Sequence, residues 1–294
     1  MLGWLYAEDA YAGFLPQTGR IATWRPPTGP GIRVDHGMKD GLVISPYYDS
    51  MIAKVIAHGA TREEARARLV QALRQTIVLG STTNRHFLIR LLEHPAFAAG
   101  KATTAFIGEH FSGDALAPPP VSDAHWNLAA ALLWRQSAER YPAALRGWRN
   151  SNPEPTPIRL AAGSEERTLL MTAADAEAID ETAPFHIEGN DIIVDHEALA
   201  VRFTDRTYAP PAAAAAGSDG KLRAPMDGRI VAIKVAAGDS VSRGQTLIVL
   251  EAMKIQHQLK AGLDATIESV AVREGQQVAN RTVLVTLAAD AAAH

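Results

Sequence analysis

The sequence of 294 residues contains no cysteine. This absence excludes disulfide bonds, thiolate catalysis and cysteine-ligated metal, and it is typical of a reducing compartment. The chain also lacks a signal peptide and any apolar run of about 18 residues, so the sequence predicts neither secretion nor a membrane span. We therefore expect a cytoplasmic protein with no membrane contact.

An excess of charge of one sign is missing as well. The formal net charge is only -3, and acidic and basic residues are interspersed. Nucleic acids and anionic membranes select strongly basic surfaces, so we expect protein and small-molecule partners instead. The ten histidines show no spacing suited to a metal site, and none is predicted.

The 47% of hydrophobic residues is enough for two or three domains with real cores, and the pattern predicts a multidomain α+β protein. Residues 1–117 mix short strands with two helices, the first of which is capped by Thr61 and Glu64. Residues 118–208 begin at Pro118-Pro119-Pro120 and combine one helix, starting at Ser122 or Asp123, with antiparallel strands. Residues 209–220 form a Pro/Ala/Gly linker, and residues 221–288 are predicted all-β.

The last domain contains an internal repeat. Ala224-Pro225-Met226-Asp227-Gly228-Arg229-Ile230 returns 37 residues later as Ala261-Gly262-Leu263-Asp264-Ala265-Thr266-Ile267. Two such halves predict a flattened β-sandwich with pseudo-twofold symmetry. Lys254 falls between the halves, where a hairpin could hold it in solvent.

The amine of an exposed lysine at such a tip can be acylated to a neutral amide. Arginine could not take its place, because a guanidinium is not an acyl acceptor under these conditions. Glu251-Ala252-Met253-Lys254 resembles the biotinylation motif of biotin carboxyl carrier domains, and Ala224 to Gly228 resembles their opening strand. The resemblance implies covalent biotin on Lys254, with Ala252 and Met253 completing the cofactor-binding motif. The related lipoyl domains share the fold but usually place aspartate before the modified lysine, so Met253 favours biotin.

The N-terminal segment resembles the C-terminal domain of biotin carboxylase. The similarity lies in Tyr6-Ala7-Glu8-Asp9, Gly31-Ile32-Arg33-Val34-Asp35, Ser45 to Met51 and Thr83-Asn84. It implies that Arg33 faces the ureido oxygen of biotin as a catalytic residue. A permanently cationic, multidentate donor can stabilise the negative charge that develops on that oxygen. Without the resemblance, Arg33 would be interpreted as a surface strand residue.

The ATP-binding machinery that biotin carboxylases place upstream of Tyr6 has no counterpart in this sequence. Met1-Leu2-Gly3-Trp4 also stands where an arginine-containing strand is expected. We therefore expect a truncated gene product or a misplaced start, with ATP and Mg used only by a full-length homologue. By itself the polypeptide is predicted to perform no ATP-dependent carboxylation of biotin.

The middle segment resembles, more weakly, the domain that docks a biotin-bearing subunit onto a carboxyltransferase, a helix beside an antiparallel barrel. Gly147-Trp148-Arg149 is similar to methylcrotonyl-CoA-type α subunits. The implied partners are a carboxyltransferase β subunit, biotin protein ligase and a second biotin carboxylase as dimer partner.

The predicted function is the carboxyl-carrier and docking portion of an acyl-CoA carboxylase α subunit. Phe14-Leu15-Pro16-Gln17 and Asp35-His36-Gly37 favour 3-methylcrotonyl-CoA or geranyl-CoA carboxylase, without deciding the acyl substrate. Two alternatives stay open: a non-catalytic docking module of such a complex, and a lipoyl-type carrier protein.

Overall fold

The computed structural model describes residues 1–142, 155–179, 182–209, 220–252 and 255–288. The chain divides into two compact units. Unit 1 comprises residues 1–15, 20–42 and 52–212, and unit 2 comprises residues 16–19, 43–51 and 213–294. The Gly147-Trp148-Arg149 motif and residues 210–219 of the predicted linker lie outside the described residues. No helix in the described ranges is long and apolar enough to cross a membrane.

The N-terminal segment is a small sheet covered by helices. Its strands are β1 (Leu2–Tyr6), β2 (Glu8–Asp9), β3 (Leu15–Pro16), β4 (Gly19–Arg20), β5 (Thr23–Arg25), β6 (Ile32–His36), β7 (Val43–Ile44), β8 (Met51–Ala57) and β9 (Ile77–Leu79). Its helices are α1 (Arg62–Gln75), α2 (Arg85–Glu93), α3 (Pro95–Ala98) and α4 (Phe106–His110), with 3₁₀ turns at Ala10–Ala12 and Gly113–Leu116.

Helices α1 and α2 bury their apolar faces on the three-stranded sheet β1-β8-β6. The predicted cap of α1 is confirmed, since Thr61 Oγ1 accepts a hydrogen bond from the Glu64 amide at 3.1 Å. The Glu64 carboxylate, however, accepts from the amide of Ala60 at 2.6 Å, one residue before the capping residue. Helix α2 ends at Glu93, because Pro95 begins the separate helix α3.

The middle segment packs one long helix on one sheet. Helix α5 (Asp123–Ala138) precedes β10 (Thr156–Ala162), β11 (Glu165–Met171), α6 (Ala173–Glu177), β12 (Phe185–Glu188), β13 (Asp191–His196) and β14 (Leu199–Asp205). Trp126 of α5 is fully buried and meets Phe203 of β14 edge to face, with ring centroids 4.9 Å apart. The predicted helix and antiparallel strands are confirmed.

The predicted closure into a barrel is not found in the described residues. The five strands follow the order β11-β10-β14-β13-β12, with β11 and β12 at the two edges. One face of this open sheet packs against α5, with Ala176 of α6 in the same core.

The C-terminal segment is all-β, as predicted. Its strands are β15 (Lys221–Arg223), β16 (Gly228–Ile233), β17 (Ser240–Val241), β18 (Thr246–Ala252), β19 (Ile255–Lys260), β20 (Ala265–Val270), β21 (Gln277–Val278) and β22 (Val283–Ala288). They form two four-stranded sheets with the orders β15-β22-β20-β17 and β19-β18-β16-β21.

The two sheets are related by the sequence repeat. Strands β16 and β17 begin and end 37 residues before β20 and β21, and the same shift carries β15 and β18 onto β19 and β22. Matching hydrogen bonds support the relation: Asp227 accepts from the amide of Asn280 at 2.7 Å, and Asp264 accepts from the amide of Arg243 at 2.6 Å. The pseudo-twofold sandwich predicted from the repeat is confirmed.

Candidate functional site

The junction of the two halves is the hairpin of β18 and β19. These strands pair antiparallel, and the pairing runs up to Ala252 opposite Ile255. Met253 and Lys254 are the two residues between those paired positions, and both lie outside the described residues. The repeat and the strand pairing therefore bring the chain to the predicted junction, and biotin on Lys254 stays a prediction.

Strand β18 is anchored deeply on the side that leads to Lys254. Four consecutive residues, Leu247 to Leu250, are at most 8% exposed. Ala252 is only 4% exposed, so its methyl group packs in the core beside the predicted attachment site. Burial of this kind gives the end of the strand a rigid support.

Gly228, in the opening motif, lies against the biotinylation motif. A Cβ at Gly228 would lie 2.7 Å from the carbonyl oxygen of Glu251, closer than real Cβ contacts. The repeat places Ala265 at the equivalent position of the other half, where a methyl group fits. The close contact between the two strands at Gly228 is therefore specific to the half that contains Glu251, and the other half has room for a methyl group at Ala265. Sequence reasoning missed this role, although the Gly/Ala difference between the repeats signals it.

His257 lies opposite Leu250 in strand β19. Its Nε2 is buried without a hydrogen-bond partner among the described residues, and burial lowers the pKa of the imidazole. The ring is therefore neutral at pH 7. His257 is a strand residue, because β19 begins two residues earlier at Ile255.

Arg33 lies in strand β6 with 73% of its side chain exposed. Its Nε and Nη2 donate to the two carboxylate oxygens of Asp35 at 2.7 and 2.9 Å. Residues two apart on a strand share a face, which places both side chains on the same side of the sheet. The Arg33 guanidinium holds the pKa of the Asp35 carboxyl below its usual value, chiefly through these hydrogen bonds.

A second cation shares this face of the sheet. Lys54 of β8 is the cross-strand partner of Asp35, and its ammonium lies 5.1 Å from the ring centroid of Trp4. Trp4 itself is 46% exposed. Arg33, Asp35, Lys54 and Trp4 therefore form an exposed, mainly cationic surface that can receive an anionic or polar group.

Arg33 belongs to unit 1 and the β18–β19 hairpin to unit 2, and each site is built within its own unit. Arg62 of α1 donates to the carbonyl oxygens of Phe97 and Ala98 at 2.8 and 2.9 Å. Its guanidinium hydrogen-bonds the last backbone carbonyls of α3 and is therefore already occupied.

Comparison with known proteins identifies both ends of the chain. Residues 4–109 match the family described as "Biotin carboxylase C-terminal domain", and residues 220–287 match the family described as "Biotin-requiring enzyme". The resemblances drawn for the N-terminal and C-terminal segments are thereby confirmed.

Three relatives illustrate the extent of the similarity. The chain is 28% identical to the mitochondrial methylcrotonoyl-CoA carboxylase subunit alpha of Dictyostelium discoideum, over 96% of the chain and 48% of the relative. It is also 28% identical to the human mitochondrial propionyl-CoA carboxylase alpha chain, over 96% and 45%. Biotin carboxylase 1 of Bacillus subtilis is 46% identical over 34% of the chain and 22% of its own length.

The chain spans about half the length of the carboxylase α subunits that it matches. It contains a biotin carboxylase C-terminal domain followed by a domain of the biotin-requiring enzyme family, and it is similar over nearly its whole length to acyl-CoA carboxylase α subunits.

Proposed function

We propose that the chain is the carboxyl-carrier and docking portion of an acyl-CoA carboxylase α subunit, with biotin attached to Lys254. The observation that carries the proposal is the symmetric sandwich, whose two halves are joined by the hairpin pairing Ala252 with Ile255 on either side of Met253 and Lys254. A carrier needs one acylable amine on a firmly supported strand end, and the buried Leu247 to Leu250 run supplies that support.

Biotin, joined as an amide to the lysine, supplies a ureido nitrogen that accepts and releases a carboxyl group. The chain contributes attachment through Lys254, packing through Ala252 and an opening strand that approaches Glu251 at Gly228. Arg33 is the residue proposed to stabilise negative charge on a ureido oxygen, because its guanidinium is exposed and multidentate. Asp35 holds the guanidinium in one orientation through two hydrogen bonds.

The carrier role is tested by carboxyl transfer in trans. The chain is biotinylated with a biotin ligase and mixed with a complete biotin carboxylase, ATP, magnesium and labelled bicarbonate. We expect label on the wild-type chain and on Lys260→Arg, which changes an exposed lysine of the same hairpin, but none on Lys254→Arg.

An arm without the added carboxylase tests whether the chain acts alone. We expect no label there, because ATP-dependent activation of bicarbonate requires machinery that this sequence does not contain. Label on Lys254→Arg in the first arm would contradict the carrier proposal. Label on the wild-type chain without added carboxylase would contradict the proposal that a separate biotin carboxylase carries out the ATP-dependent step.

For the acyl substrate, we propose the 3-methylcrotonyl-CoA or geranyl-CoA branch, on the motifs Phe14 to Gln17 and Asp35 to Gly37. The relatives include methylcrotonoyl- and propionyl-CoA carboxylases at equal identity, so a propionyl-CoA enzyme is the competing hypothesis. Pull-down with purified carboxyltransferase β subunits of the three kinds separates them: preferential capture of a propionyl-CoA type would overturn our choice. Biotin protein ligase and a biotin carboxylase dimer partner complete the proposed partners.

The alternative is a lipoyl carrier, in which Lys254 bears lipoate instead of biotin. The two groups add different masses to Lys254, so intact-mass analysis separates them. A cytoplasmic location is proposed from the sequence, while two relatives are named as mitochondrial. Fractionation of the native cell tests the location directly.

A further inference from the structure

The hairpin between β13 and β14 has an unusual tip. Glu197 and Ala198 form its two-residue loop, since His196 pairs with Leu199. Both have positive φ angles, 52° and 63°, which L-residues other than Asn and Asp rarely adopt. Such a conformation persists only where surrounding contacts determine it.

Those surrounding contacts come from the N-terminal segment. Ala198 is 8% exposed and belongs to the core formed by α1, α2 and β8, together with Val55, Leu69 and Leu73. The tip of a hairpin from the middle segment is thus inserted into the core of the biotin carboxylase C-terminal domain, within unit 1.

A buried ion pair lies directly behind the tip. Arg85, the first residue of α2, donates from Nη2 to both carboxylate oxygens of Asp195 on β13, at 2.7 and 2.6 Å. The two side chains are only 2% and 5% exposed. Arg85 Nη1 also donates to the carbonyl oxygen of Thr76, so the guanidinium has partners on both sides. A buried pair with additional hydrogen bonds specifies one arrangement of the parts that it joins.

Weaker contacts continue along the same hairpin. Arg202 of β14 donates to the carbonyl oxygen of Gly80 at 3.2 Å, and the exposed pair Arg20–Glu188 joins the same two segments at 3.5 Å. On the other side of the hairpin, His125 of α5 lies 3.2 Å from the carbonyl oxygen of Leu199. The hairpin is therefore contacted by both domains, and its tip residue Ala198 lies in the core of the N-terminal domain.

We infer that the β13–β14 hairpin is a docking element that fastens the middle segment onto the biotin carboxylase C-terminal domain, with Arg85–Asp195 setting its register. The inference goes beyond the carrier function and does not depend on Lys254.

Amide hydrogen exchange of the full chain tests this docking. Asp195→Leu leaves Arg85 buried and unpaired, which should accelerate exchange in residues 191–205 and in α2 by at least ~100-fold, because breaking a buried pair is strongly destabilising. Residues 220–288 serve as an internal reference and should not change. Glu188→Gln, which breaks the exposed pair between the same segments, should alter exchange less than about fivefold.

The double variant Arg85→Met/Asp195→Leu separates docking from general damage. It removes both charges, so that no buried charge is left without its partner, and protection should return to within about tenfold of the wild type. Three results would each overturn the inference: wild-type exchange rates in Asp195→Leu, equal acceleration in residues 220–288, or exchange in the double variant as fast as in Asp195→Leu.

Discussion

Arg33 and Asp35 can be tested as a pair without any catalysis. Arg33 lowers the pKa of the Asp35 carboxyl, so the pair's contribution to folding is present above the unfolded pKa and is lost as the pH falls through the folded value. We expect Arg33→Met to raise the pKa of Asp35 toward that of an ordinary aspartate, as measured by NMR titration. Arg25→Met, which breaks the similar exposed pair with Asp40, is the control and should leave Asp35 unchanged.

The lowered pKa of His86 should make the free energy of unfolding depend on pH. Burial, followed by the charge of Arg90, lowers its pKa from 6.5 to about 4, and its Nδ1 lies 2.5 Å from the hydroxyl of Tyr11. Between those pH values the unfolded state binds more protons, so the free energy of unfolding should fall as the pH drops from 6.5 to 4. The ring is partly exposed, and solvent screening reduces the effect to on the order of 1 kcal/mol.

Urea unfolding at several pH values measures this dependence. His86→Gln should flatten the curve relative to the wild type. An unchanged slope in His86→Gln would contradict the assignment.

Some residues could be recognised from the sequence and others could not. Thr61 could be recognised at a helix start because its hydroxyl accepts from an amide only three residues away. Ser122 also precedes a helix, but its hydroxyl contacts the imidazole of His125 and does not cap the backbone. The pairing of Arg33 with Asp35 follows from strand alternation once a strand is assigned. The pairing of Arg85 with Asp195 spans 110 positions, and no local pattern contains that information.

At the scale of elements, comparison of the two repeat halves identifies a strained backbone conformation at Arg281. Gly244 has a φ of 87°, and the equivalent position of the other half is Arg281, with a φ of 64°. A non-glycine residue costs about 1–2 kcal/mol in this conformation, so Arg281→Gly should stabilise unit 2 by roughly 1 kcal/mol. Thermal unfolding of the full chain measures the change. Gly244→Ala should destabilise unit 2. A loss of stability in Arg281→Gly would contradict the prediction, because the contacts of the arginine would then stabilise unit 2 by more than its backbone strain destabilises it.

The approach of β16 to β18 gives a second prediction for an element. Gly228→Ala forces the strands apart at Glu251 and should cost about 1–3 kcal/mol, with slower biotinylation by the ligase. Gly262→Ala is the matched control, since an added Cβ there meets no atom within 4 Å. Equal biotinylation rates for the two variants would contradict a role of Gly228 in supporting the modified hairpin.

Element boundaries in unit 2 were predictable because two copies of one pattern constrain each other. The middle segment had no such internal check. Its strand β12 and short helix α6 were not predicted, and its sheet is open where a barrel was expected. Edge strands such as β12 have little sequence signal of their own, because only one neighbour determines their residues.

At the scale of the whole molecule, the order of the domains followed from composition and resemblance. The insertion of the β13–β14 tip into the N-terminal core did not, because it depends on packing between segments that are far apart in the chain. Proline-rich boundaries indicate where a segment begins, but they do not show whether it then docks onto its neighbour.

The central claim is tested most directly by peptide-level mass spectrometry of the chain after expression beside a biotin ligase. The account predicts a biotinyl mass increment on Lys254 alone, present in Lys260→Arg and absent in Lys254→Arg. An unmodified Lys254, a lipoyl increment there, or biotin on another lysine would contradict it.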